Sequence, residues 1–65
     1  MHIPGLLERV RLLGVDEVYL VTRVDHEARM ADMLPLVYGS AEIHNVPFNA
    51  IQAVPGWEPP NLWPN

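Results

Sequence analysis

Histidine is the residue type in this sequence best suited to bind a metal, and it occurs at His2, His26 and His44. His26-Glu27 begins like a helical zinc site, but such a site needs a second histidine four residues after the first, where Met30 stands. A site formed in space by Asp25, His26 and His44 would lack the ligand spacing that marks metal sites. We therefore interpret the histidines as isolated surface residues and expect no metal and no other cofactor.

Acidic side chains are the next candidates for chemistry, because paired carboxylates can act as acid and base when their surroundings separate their pKa values. Asp25, Glu27 and Asp32 are near one another in the sequence. In a turn and on an exposed strand face they would be hydrated, so we interpret them as a solvated acidic edge. Ser40 has no base in its own segment to activate it. No catalytic residue is predicted, and a non-enzymatic protein is favoured over an enzyme.

The length limits how the chain can be stabilised. Its 65 residues allow a single domain, residues 1–65, and a chain of this size buries only about 60% of its unfolded surface. Cysteine is absent, which excludes disulfides and cysteine-ligated metal folds and fits a reducing compartment. Small domains without such supports are commonly stabilised by oligomerisation. A homo-oligomer is therefore expected.

The net charge and the hydropathy of the sequence limit the classes of partner that the protein is expected to bind. Eight acidic residues outnumber four basic ones, giving a net charge of −4, whereas nucleic-acid binding depends on neutralising phosphates. The longest apolar runs, 18–21 and 33–38, fall far short of the roughly 20 residues of a membrane span, and the N-terminus does not resemble a signal peptide. We expect a cytoplasmic, bacterial-type protein that binds itself or another protein, and neither nucleic acid nor membrane.

The first element predicted is a helix over residues 4–13. Pro4 suits the first helical turn and Gly14 suits a C-cap. Leu6, Val10 and Leu13 would then share one face. A helix of about ten residues is marginal alone, so this stripe is predicted to be buried against a partner.

A strand is predicted over residues 17–24, where β-branched and aromatic residues are frequent. Its predicted core-facing residues are Val18, Leu20, Thr22 and Val24. The stretch 29–38 is ambiguous: we favour a strand in which Pro35 requires an edge or a bulge, and the alternative is a second helix at 26–34. Shorter strands are predicted over 41–46 and 51–54, joined by a tight turn or one helical turn.

The C-terminal residues 55–65 contain four of the seven prolines and are predicted to be extended. Trp57 and Trp63 lie on this segment beside Leu62, and aromatic residues dominate interface energetics when they fill a pocket. Two interpretations stay open. The segment either folds back over its own domain or reaches a neighbouring subunit or another protein.

Residues 17–54 resemble a small SH3-like β-barrel. The resemblance rests on a strand entering an acidic turn (Val21-Thr-Arg-Val-Asp-His-Glu27) and on a second strand ending near Leu34-Pro-Leu36. It also rests on the segment 46–54, which is similar to the helical turn that joins the last two strands of such domains. The resemblance implies a mainly β barrel of four to five short antiparallel strands, preceded by the helix and followed by the tail. It does not imply an activity.

Together these features predict a small binding or assembly module, self-associating and without intrinsic chemistry. The predicted interface residues are Leu6, Val10, Leu13, Trp57, Leu62 and Trp63. The alternative is a barrel that binds or transforms a small ligand in a pocket between subunits, since such pockets favour aromatic walls with few polar groups. The candidate lining residues are Tyr19, Tyr38, His44 and Trp57.

Overall fold

The computed structural model describes residues 2–56 and shows a mainly β architecture. The strands are β1 (Arg9–Leu12), β2 (Val18–Asp25), β3 (Met30–Pro35), β4 (Ile43–Pro47) and β5 (Ile51–Ala53). They form one five-stranded antiparallel sheet in the order β4-β3-β2-β1-β5. A short 3-10 turn, Phe48–Ala50, connects β4 to β5. No helix among the described residues is long and apolar enough to cross a membrane.

The two edge strands of this sheet are joined by a very short connection. β4 and β5 lie at opposite edges, yet only the three residues Phe48–Ala50 separate them in the chain. From Pro47 to Ile51 the chain can reach at most about 14 Å, whereas four flat inter-strand spacings would separate the edges by about 19 Å. The sheet therefore curls strongly, and the connection is fixed by two backbone hydrogen bonds, from Phe48 to Arg29 (3.0 Å) and from Leu13 to Ala50 (2.9 Å).

The concave face of the curled sheet forms the core. Its buried apolar residues, contributed by all five strands and the 3-10 turn, are Val10, Tyr19, Val21, Ala31, Met33, Val46, Phe48 and Ile51. A sheet must bury one face against another layer. Here no described helix covers it, so the sheet removes that face from water by folding its own halves toward each other.

β2 buries the face opposite to the predicted one. Tyr19 and Val21 are in the core, whereas Val18 and Leu20 are partly exposed. A register shift in the β2–β3 ladder directly after Val21 marks a bulge, and the extra residue reverses the alternation, so that Val24 packs against the core again. The predicted core face assumed an uninterrupted strand, so it was wrong for Val18, Leu20 and Thr22 and right for Val24.

The helix predicted over residues 4–13 is also wrong. Residues 6–7 form a turn, Leu7 has a φ of 65°, and β1 begins two residues later. Val10 pairs with Tyr19 of β2 and with Ala53 of β5 and is fully buried. Burial between two strands outweighs the modest helix propensity of so short a segment.

The strand predicted over 29–38 is confirmed for Met30–Pro35, which form β3, and the alternative helix at 26–34 is not formed. The Asp25 carboxylate accepts hydrogen bonds from the backbone N–H groups of Glu27 (3.1 Å) and Ala28 (3.0 Å), which caps a turn rather than a helix. Pro35 ends β3 beyond the last residue paired with β4, where its missing N–H breaks no ladder bond.

The remaining strand predictions agree with β2, β4 and β5 to within two residues, and the predicted helical turn is the 3-10 turn. The extended tail predicted at 55–65 lies outside the described residues from Trp57 onward.

Met33 is the largest fully buried side chain, so Met33→Ala should destabilise the fold by about 2–5 kcal/mol through lost burial and a residual cavity. A domain of this size has a total stability of about 3–10 kcal/mol, so a large part is lost. Urea denaturation measures the change. Met30→Ala, at a partly exposed position of the same strand, is the matched control, and equal losses for the two variants would contradict this assignment of the core.

Candidate functional site

Asp32 is the centre of a polar cluster on the convex face of β2, β3 and β4. Its side chain is buried, with a relative exposure of 9%. The Arg23 Nε donates to Oδ2 at 2.8 Å and Nη2 lies 3.4 Å from Oδ1. The backbone N–H of Asn45 donates to Oδ1 at 3.0 Å, and His44 Nδ1 lies 3.2 Å from Oδ2. One carboxylate therefore links three strands.

Irregular strand pairing creates this arrangement. The β3–β4 ladder shifts register between Ala31 and Met33, on either side of Asp32. Opposite this shift Asn45 has a φ of 57°, a left-handed conformation that asparagine tolerates better than most residues. The Asn45 N–H then points to the Asp32 carboxylate, which satisfies a backbone donor at the irregularity.

The electrostatics of the cluster favour the charged form of Asp32. The hydrogen bond from Arg23 holds the pKa of Asp32 well below its usual range, the Asn45 N–H adds to the effect, and burial opposes it. The same carboxylate raises the pKa of Arg23. A general base needs a pKa near the working pH and a free lone pair. The pKa of Asp32 is lowered and both of its oxygens accept hydrogen bonds, so its geometry suits a structural link between strands better than a general base.

The solvated acidic edge predicted from the sequence is therefore wrong for Asp32. Asp25 and Glu27 do lie in or beside the β2–β3 turn, where Glu27 is exposed. Asp32 is close to these two residues in the sequence, so the sequence alone did not distinguish its burial from their exposure. Asp32 is buried because β3 pairs with β2 on one side and with β4 on the other.

The three residues considered as a spatial metal site have different contacts. Asp25 caps the β2–β3 turn, the His26 ring packs edge-on against Phe48 at 6.1 Å, and His44 contacts Asp32. Within residues 2–56 no group of three or more His, Cys, Asp or Glu side chains is arranged to hold a metal ion.

His2, interpreted as an isolated surface residue, instead pairs with a buried carboxylate. Glu8 has a relative exposure of 9%; its Oε2 lies 2.5 Å from His2 Nε2, and its Oε1 accepts the Gly5 N–H at 2.8 Å. Pro4 between them is fully buried. These contacts fix the N-terminal turn against β1 in place of the predicted helix.

The candidate pocket residues have separate surroundings within the chain. Tyr19 is in the core, where its hydroxyl donates to Glu17 at 3.1 Å and burial, followed by this carboxylate, raises the pKa of Tyr19. Tyr38 is fully exposed in the β3–β4 loop, and His44 belongs to the polar cluster. Trp57 lies outside the described residues. A pocket shared between subunits stays a prediction.

The predicted interface residues do not share one face. Val10 is in the core, whereas Leu6 and Leu13 are 64% and 56% exposed. The helix that would have aligned them is absent. Trp57, Leu62 and Trp63 lie outside the described residues.

An exposed apolar surface at one end of the sheet was not predicted. The β1–β2 turn and the β3–β4 loop meet at this end, where the Leu36 N–H donates to the Val18 carbonyl at 3.2 Å. We call this surface the apolar end; its residues are Leu13 (56% exposed), Val15 (39%), Leu36 (49%), Val37 (52%) and Tyr38 (105%). Leu36-Val37-Tyr38 was interpreted as strand, although its place after Pro35 and before the Gly39 turn was the signal for a loop.

Comparisons with protein-family models, with curated proteins and with solved structures find no match for the chain. The protein is therefore classed by its architecture alone, as a small mainly β protein built on one curled five-stranded antiparallel sheet.

Replacing Asp32 by Asn should lower stability at neutral pH and flatten its acid dependence. The pKa of Asp32 is depressed in the folded chain, so its contribution is present above the unfolded pKa of about 4 and is lost as the pH falls below it. Thermal unfolding of both proteins between pH 7 and pH 2 tests this: the difference in midpoint should shrink toward the acid end. Asp16→Asn, at a side chain 95% exposed, is the matched control. A constant difference across the range would contradict the assignment.

Proposed function

We propose that the protein is a small binding and assembly module that associates with itself through the apolar end. The observation that carries this proposal is the exposure of five large apolar residues in two adjoining loops. Monomeric proteins rarely expose contiguous apolar patches unless the patch has a partner. The proposal assigns no chemistry to the module.

The composition of the apolar end supports self-association. Tyr38 is fully exposed, and tyrosine is enriched among the residues that contribute most to binding because it offers a large rigid surface at low entropic cost. Arg11 and Asp16 form an exposed ion pair near this end, with a distance of 3.6 Å. In a two-fold dimer, the positive Arg11 and the negative Asp16 of one copy can each face the opposite charge of the other copy.

A second exposed apolar group precedes β1 and lies at the end of that strand opposite to Leu13. Ile3, Leu6 and Leu7, in and before the N-terminal turn, are each at least 60% exposed. Leu13 stays in the proposed interface as part of the apolar end, Leu6 stays a proposed contributor because of its exposure alone, and the buried Val10 is no longer included. Trp57, Leu62 and Trp63 remain proposed contributors on the strength of their residue types alone.

We also propose an SH3-like barrel as the fold type and the cytoplasm as the location. The fold is supported by β5 lying beside β1, by a long β2 with a bulge, and by the 3-10 turn between the last two strands. The location is supported by the absence of cysteine.

Tyr38→Glu should dissociate the assembly, because burying an unpaired carboxylate at an apolar contact is strongly unfavourable. We expect the native chain to exceed monomer mass by light scattering at micromolar concentration, and the variant to associate about 30-fold more weakly or worse. Circular dichroism checks that the variant is folded.

Ala28→Glu is the matched control, because it adds the same charge in the exposed β2–β3 turn at the other end of β2. It should leave the mass unchanged. A native chain that is monomeric at these concentrations, or equal dissociation by both variants, would refute the proposal.

A further inference from the structure

The imidazole ring of His44 lies between two carboxylates. Its Nδ1 is 3.2 Å from Oδ2 of Asp32 on β3, and its Nε2 is 3.7 Å from Oε1 of Glu42, directly before β4. A neutral imidazole carries a hydrogen on only one ring nitrogen, whereas the imidazolium carries one on both. Either neutral tautomer therefore turns a lone pair toward one of the two carboxylates, and only the imidazolium offers a donor to both.

These contacts belong to a closed ring of side chains that spans three strands, which we call the polar ring. The Thr22 hydroxyl donates to Oε2 of Glu42, the Arg23 guanidinium binds Asp32, and Thr22 and Arg23 are neighbours on β2. The polar ring therefore runs from β2 through Glu42 and His44 to Asp32 and back to β2. Histidine is the residue type whose charge ordinarily changes between pH 5 and pH 8, so one member of the ring responds to pH near neutrality.

The charged groups that face His44 leave an excess of negative charge when the imidazole is neutral. Asp32 and Glu42 supply two carboxylates, and Arg23 supplies one guanidinium. Asp25, at the end of β2, lies 3.9 Å from Arg23 and adds a third carboxylate. The hydrogen bond from Arg23 is the main cause of the low pKa of Asp32, and His44 contributes to it. Asp32 therefore stays charged over the neutral range, and a proton on His44 reduces the excess.

The polar ring holds β4 at the point where its backbone pairing is irregular. In the β3–β4 ladder two residues of β4, His44 and Asn45, lie opposite the single residue Asp32. A bulge of this kind disrupts the ladder hydrogen bonds locally, and the contacts of Asp32 with the Asn45 N–H and with the His44 ring take their place. Glu42 also fixes the end of the β3–β4 loop to Thr22. Opening the ring would therefore loosen this loop and the start of β4, while the core on the concave face stays closed.

We propose that His44 is a pH-sensitive clasp. Its imidazolium holds the β3–β4 loop and the start of β4 against β2 and β3 in mildly acidic solution, and loss of its proton loosens them as the pH rises. The contacts of the clasp lie within one chain, and no member of the polar ring belongs to the apolar end. The inference is therefore independent of the proposed self-association.

Urea denaturation of the native chain and of His44→Gln at about pH 5.5 and about pH 8 tests the clasp. The imidazolium makes these contacts only in the folded chain, so its contribution is present below about pH 6.5 and is lost as the pH rises above it. We expect His44→Gln to lower the folding equilibrium constant about threefold more at the acidic pH, as for an exposed ion pair. His44→Lys, which is charged at both pH values, should exceed His44→Gln by a similar factor at both. The His44 side chain is 61% exposed, so both variants are expected to fold, and circular dichroism checks this.

His26→Gln is the matched control, because the His26 ring packs against Phe48, and any loss that it causes should be the same at both pH values. Amide hydrogen exchange follows the attachment of β4 itself. The Asn45 N–H, which donates to Asp32, should exchange faster in His44→Gln than in His44→Lys at the same pH. A loss for His44→Gln that is equal at the two pH values would overturn the proposal. So would an equal pH dependence in His26→Gln, or equal exchange at Asn45 in the two His44 variants.

Discussion

A sheet without a covering layer must hide one face by bending, and the three-residue connection between β4 and β5 sets how far this sheet bends. The end of β4 and the start of β5 are joined by this short connection, so the two edges of the sheet are close together. The inner side chains of β1 and β5 therefore share one core with those of β3 and β4. The connection contributes to the core itself, since Phe48 is 3% exposed. Its two ends are hydrogen-bonded to the β2–β3 turn and to the end of β1.

Such a bend requires irregular strand pairing, and both strand pairs that contain β3 have a register shift next to Asp32. One register shift lies in the β2–β3 pairing and the other in the β3–β4 pairing. A bulge leaves unpaired backbone groups and rotates its neighbours. Asp32 compensates by binding the Asn45 N–H and the Arg23 guanidinium, which ties the three strands together at the point where the ladder is weakest. The buried carboxylate is thus explained by the curvature, and no catalytic role is needed for it.

Most strands could be predicted from the sequence, but the face that each strand turns toward the core mostly could not. β2, β4 and β5 have local compositions that favour extended backbone, and the Pro47-Phe48 step marks the turn after β4. β1 was mistaken for a helix, because Val10 owes its conformation to two strands distant in the sequence. The bulge after Val21 has no residue signature, so the core face of β2 could not be inferred from alternation. The burial of Asp32 and the meeting of the two loops at the apolar end also depend on pairing between strands that are distant in the sequence.

Exposed sheet edges invite other chains to add a strand, and the sheet formed by residues 2–56 ends in two edge strands, β4 and β5. On β4 the left-handed Asn45 turns its N–H toward Asp32, and Pro47 has no N–H to offer. β5 is only three residues long. Neither edge offers the long, regular row of donors and acceptors that fibril growth needs. The irregularities that let the sheet curl therefore also protect the described sheet from adding strands edge to edge.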